Sequence, residues 1–207
     1  MKTVILRRFD VPAVNLVCAI PAIILIDLYI GGMLGPNPVQ ILERRSGDIA
    51  LVLLLISLTF TPLRVVTGFT RGIKYRRITG LWAFYYAALH FLIFLGLDYG
   101  FDFSLAFQAI VAGRYIWYGA AALLILTTMA ITSTNGWKVR LKRNWKRIHS
   151  FVYLASLLAA LHFAFAKKGD LFHLRGEELL PLIALIIWAI LMLLRLPPVR
   201  SLVSRHK

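Results

Sequence analysis

Apolar residues fall into six long runs, approximately 11–33, 47–66, 79–97, 115–134, 148–166 and 179–196, and the polar residues gather between them. A bilayer core of about 30 Å takes about 20 residues of α-helix at 1.5 Å per residue. Each run therefore predicts one transmembrane helix. The fold class expected is all-α, an integral membrane bundle of six transmembrane helices, with residues 1–207 as a single domain. The first run follows Arg7 and Arg8 but is too long for a signal-peptide core and lacks a small-residue cleavage pattern, so it predicts a retained first span. No internal repeat and no low-complexity segment interrupts the six-run pattern.

Composition agrees with that solvent: hydrophobic residues make up 59% of 207 and the mean hydropathy is +0.75, too apolar for an ordinary soluble domain. The net charge of +15 would suggest nucleic acid in a soluble chain. Here the basic residues sit in the loops, where they act as topology signals, and the nucleic-acid reading is dropped. Six spans leave loops on alternating sides. One side collects eighteen of the 24 lysines and arginines, including Arg64 to Arg77 and the run Lys138 to Arg147; the other carries seven of the nine acidic residues. Both termini are expected in the cytoplasm. Cys18 is the single cysteine, so the chain alone builds no disulfide, thiolate zinc site or iron–sulfur cluster.

Three histidines change the picture. His149 opens the fifth run at its basic end, and His162 lies about 20 Å further along the same helix. His90, in the third run, is expected level with His162 near the outer leaflet. An imidazole in a membrane interior needs partners for its nitrogens, and one alone is as well explained by a hydrogen bond across helices. Two level imidazoles on different helices are the arrangement that clamps a planar macrocycle, with imidazole as axial ligand of haem iron. Zinc would want further ligands that these helices do not offer at that depth. At the basic end the third helix offers Arg76 and Arg77, which suit a propionate or phosphate rather than iron. Thirteen residues turn a straight helix by about 220° net of whole turns, so His149 and His162 share a face only if the helix is distorted.

The stretches RRITGLWAFYYAALH (76–90) and WKRIHSFVYL (145–154), the returning His162, TPLR (61–64) and TST (132–134) resemble the MsrQ (YedZ) family of the ferric-reductase-like transmembrane superfamily, over nearly the whole chain. The resemblance implies a haem b electron-transfer subunit with one haem or two and an association with FMN. It would draw electrons from the quinone pool or a cytoplasmic flavin reductase. They would pass to the periplasmic molybdenum-cofactor reductase MsrP, which repairs methionine sulfoxide in oxidised proteins. His90, His149 and His162 match the family's histidines, and Arg76 with Arg77 its basic pair; two-haem relatives carry a histidine where this chain has an arginine. The residues assigned are His90 and His162 as haem axial ligands, with His149, Arg76 and Arg77 as contacts to a second haem or cofactor. No FMN-binding residue is assigned.

Two further readings stay open: a stand-alone ferric or quinone reductase of the same superfamily, and a small transporter. Asp27 is either a buried proton-handling carboxylate or a hydrated interfacial one. Trp82, Tyr85 and Tyr86 either line a cofactor pocket or pack between helices. Gly80 and Gly119 admit a neighbouring helix or a flat ring. Asp98 and Asp102 are read as solvated loop carboxylates, and His173 and His206 as surface residues.

Overall fold

The computed structural model describes residues 2–166, 179–197 and 199, with side chains from residue 10 onward. His173 and His206, expected at the surface, lie outside the described residues. Among the described residues there is no strand, and the helices are α1 (Lys2–Ile30), α2 (Pro38–Thr67), α3 (Ile73–Ile93), α4 (Phe103–Ala112), α5 (Arg114–Ile131), α6 (Asn135–Leu141), α7 (Arg143–Ser150), α8 (Val152–Ala166) and α9 (Leu179–Leu193). Five stretches are long and apolar enough to cross a bilayer: Asp10–Ile30, Pro38–Thr67, Thr70–Asp98, Arg114–Ile131 and Arg143–Ala166. The sixth predicted span is α9, apolar throughout, whose 15 described residues measure about 22 Å. The protein is therefore an all-α, multi-pass membrane protein. Large apolar side chains at Leu16, Val17, Ile23, Ile26 and Ile30 point outward from α1, as lipid contact requires.

The chain divides into two compact units, residues 1–60 with 70–101, and residues 61–69 with 102–207. In the first, Leu25, Leu34, Leu42 and Ile93 form a buried cluster. Lys74 makes an ion pair with Asp10, and the Tyr75 hydroxyl donates to the same carboxylate at 3.0 Å, tying the start of α3 to α1. Pro21 stands inside α1, where it removes a donor and pushes the preceding turn open. The gap is bridged by Tyr86, only 2% exposed: its hydroxyl accepts from Ala22 N–H at 2.9 Å and donates to the Cys18 carbonyl at 2.8 Å. These are the two groups that an uninterrupted helix would join to each other. Tyr86 is thus a packing residue of α1. Trp82 beside it donates through Nε1 to Asn15 Oδ1 at 2.9 Å, and Asp27 is exposed.

In the second unit α8 packs on α5 and α9 through small residues: Ala155, Ser156 and Ala160 are fully buried and Ala164 nearly so. Small side chains let helix axes approach where lipid provides no hydrophobic drive. Trp188 Nε1 donates to Ser156 Oγ at 2.9 Å, fixing α9 on this stripe. The fifth predicted span is interrupted. α7 ends at Ser150, Phe151 N–H turns back to the Ile148 carbonyl at 3.1 Å, and α8 resumes at Val152. Hydropathy alone predicts a loop at 98–114, but residues 103–112 are helical. Asp102 caps α4 by accepting from the Ser104 and Leu105 amides at 2.9 and 3.0 Å. It is exposed, as the sequence predicts, and is also a helix cap.

Candidate functional site

In the first unit His90 lies on α3, half-buried, with its Nδ1 2.8 Å from the Glu43 carbonyl of α2. A carbonyl only accepts, so Nδ1 carries a proton and donates it. Contact this close is possible because the residue one turn after Glu43 is Gly47: a Cβ there would lie 3.2 Å from His90 Nδ1 and 3.3 Å from Cε1. Asp98, which ends the π-helical turn Phe94–Asp98 after α3, is exposed, as the sequence predicts, and lies beside Glu43.

The second unit contains the same arrangement. His162 on α8 places Nδ1 2.9 Å from the Tyr115 carbonyl of α5, and Gly119, again one turn on, faces its ring. A Cβ at Gly119 would lie 2.8 Å from Nδ1, 2.9 Å from Cε1 and 3.0 Å from Cγ. The Tyr115 ring tilts against the imidazole at 5.7 Å between centroids. Histidine and acceptor are 47 residues apart in both units. So the flat ring that Gly119 admits is the imidazole of His162, and what Gly80 admits is Ser57, whose Oγ would be 3.2 Å from a Cβ. Ser57 donates to the Arg76 carbonyl at 2.7 Å.

His149 is held differently. Its Nε2 is 3.3 Å from Thr132 Oγ1, and that hydroxyl lies 2.7 Å from the Thr128 carbonyl, to which it donates. The hydroxyl proton being committed there, Nε2–H donates to the oxygen, so this ring is held by Nε2 where His90 and His162 are held by Nδ1. Trp145 stacks on the ring at 4.1 Å and donates through Nε1 to the Thr132 carbonyl at 3.0 Å. Phe151, between His149 and His162, keeps right-handed helical angles (φ −64°, ψ −8°), with its N–H turned back to the Ile148 carbonyl. Arg76 is half-buried. Arg77 is exposed and lines, with Asn15, Trp82 and Tyr85, a shallow groove of about 230 Å³. In the second unit Thr61 and Pro62 of the TPLR stretch line a cavity of about 170 Å³ with Tyr153 and Arg195.

Sequence reasoning missed Glu43, Gly47 and Tyr115. Two of them act through the main chain, which leaves no mark on residue identity. The signal that was available is that a glycine precedes His90 and His162 at equal distance, on the predicted span before each.

The fold and these seats are those of a multi-pass membrane protein that holds two imidazoles against main-chain carbonyls, and residues 46–160 match the family described as "Ferric reductase like transmembrane component". Curated relatives named "Protein-methionine-sulfoxide reductase heme-binding subunit MsrQ" include one from Rhodospirillum rubrum, 39% identical over 90% of this chain and 86% of its own length. Two from Xanthomonas campestris pv. campestris (strain 8004) and Xanthomonas axonopodis pv. citri are 48% identical over 67% of this chain. The matched region spans 63% of those Xanthomonas proteins' length. No solved structure matches. The chain belongs to the MsrQ family of ferric-reductase-like transmembrane proteins.

Proposed function

We propose that the chain is the haem b-binding membrane subunit of a protein-methionine-sulfoxide reductase system. In this reading it takes electrons from the quinone pool or a cytoplasmic flavin reductase and passes them outward to MsrP, the periplasmic molybdenum-cofactor reductase. His90 and His162 are the axial ligands, in one haem-binding domain of six spans. The observation that carries this reading is the seat of both rings: Nδ1 lies 2.8 Å from a backbone carbonyl at His90 and 2.9 Å at His162, an arrangement that would leave the Nε2 lone pair for iron. The donor set fits the group, because haem iron needs two axial nitrogens and no cluster of further ligands. The relatives' printed names, which call those proteins heme-binding, support the same assignment.

Haem iron would supply reversible one-electron chemistry. The chain's own residues hold each imidazole in one orientation, by a carbonyl at Nδ1 and a glycine against the ring. They also raise the donor strength of Nε2 through the hydrogen bond at Nδ1. Arg76, Arg77 and His149 are offered as contacts to propionate, flavin phosphate or a second haem on the basic side, which we assign to the cytoplasm. FMN is the second cofactor of this reading.

The test is a reduced-minus-oxidised absorption spectrum of the detergent-purified protein with pyridine haemochrome quantification. His90→Ala or His162→Ala removes most of the haem, whereas His149→Ala leaves haem in place with a partial or spectral effect. Full retention in both of the first two variants overturns the ligand assignment.

A further inference from the structure

The same three-part device stands under both histidines: a main-chain carbonyl that accepts from Nδ1, a glycine one turn later on the same helix, and the imidazole lying where that glycine's Cβ would be. From it we infer that Gly47 and Gly119 are positioning residues of the redox centre, which set the orientation and donor strength of His90 and His162 through the Glu43 and Tyr115 carbonyls. The inference rests on the haem-ligand reading above.

In an α-helix a carbonyl already accepts the amide of the residue one turn on, so a side chain reaches its second lone pair only by coming alongside the helix wall. The residue one turn on covers that approach. With any side chain there, the ring stands off and its N–H loses the carbonyl. Gly119 is the tighter seat: Nδ1, Cε1 and Cγ all lie within 3.0 Å of the point a methyl carbon would occupy, below any ordinary contact, and the obstructed Nδ1 is the donor itself. At Gly47 the closest approach is 3.2 Å, which a small shift of the ring relieves. An imidazole that donates from Nδ1 is a stronger σ-donor at Nε2, and outer partners of this kind are worth about 10–100-fold in metal affinity. A stronger donor favours the ferric state, so loss of the hydrogen bond moves the midpoint potential in the positive direction.

The experiment is redox titration of purified, haem-loaded Gly119→Ala and Gly47→Ala proteins, with haem retention measured in parallel and Gly80→Ala as control. Gly80→Ala adds the same methyl against Ser57 Oγ at 3.2 Å and touches no imidazole. The expected result is a positive shift of midpoint potential with about tenfold weaker haem retention in Gly119→Ala, a smaller shift in Gly47→Ala, and none in Gly80→Ala. Unshifted potentials in both of the first two variants, with haem retained, overturn the inference and leave the ligand reading standing. Wild-type protein that binds no haem overturns the ligand reading and this one with it. If Gly119→Ala does not fold, Gly47→Ala decides: a positive shift of its potential supports the device, and an unshifted potential with haem retained overturns it.

Discussion

An imidazole inside a bilayer must place its proton somewhere, and the helical main chain supplies acceptors only where its wall is thin enough to approach. At His90 and His162 glycine thins the wall; at His149 a threonine hydroxyl comes out to meet the ring instead. The two solutions hold opposite ring nitrogens, and the difference is testable at Thr132. Thr132→Val keeps the shape of the side chain and removes the oxygen that His149 Nε2–H meets. The expected cost is roughly 1 kcal/mol of stability in denaturant unfolding, with haem per chain unchanged in the pyridine haemochrome assay. A haem loss equal to that of His162→Ala would instead make His149 a ligand. The histidines themselves were legible from sequence because an ionisable residue in an apolar run stands out. Their seats were not, since a glycine in a membrane helix reads equally as a helix contact, and a carbonyl acceptor is present at every residue.

The helices were legible wherever an apolar run bounded itself, and their ends were not. α2 begins at Pro38, nine positions before the apolar run, because Glu43, Arg44 and Arg45 extend a helix that hydropathy alone stops at Gly47. α4 escaped notice as a ten-residue apolar piece too short to span, although Asp102 ahead of it is a helix-start signal. The division of the fifth span at Phe151 has no proline or glycine to announce it. Within α1, Pro21 did announce a defect, and the remedy lies on another element. Tyr86→Phe leaves the Ala22 amide and the Cys18 carbonyl without their shared hydroxyl, which costs about 1 kcal/mol in unfolding from detergent. Pro21→Ala in the Tyr86→Phe background returns part of that loss, because the helix then closes its own ladder. Equal stability of Tyr86→Phe and wild type would show that the bridge contributes nothing.

For the whole molecule, composition and charge carried the class, since no soluble fold tolerates six runs of this length, while the division into two compact units had no counterpart in residue identity. The sidedness argument rests on eighteen basic residues against six. It predicts that single cysteines placed at Lys142 and at Phe103, in a Cys18→Ser background, are labelled from opposite faces of oriented membranes: residue 142 from the cytoplasm and residue 103 from outside. Labelling of both from one face would contradict the six-span order. Tyr86 adds a constraint in time. The first helix enters the membrane with a rung of its ladder open, and the hydroxyl that completes it arrives two spans later. During synthesis α1 is therefore a provisional resident of the bilayer, finished only when the third helix docks. A chain stalled before residue 86 would expose that defect to lipid and to whatever machinery inspects unfinished membrane proteins.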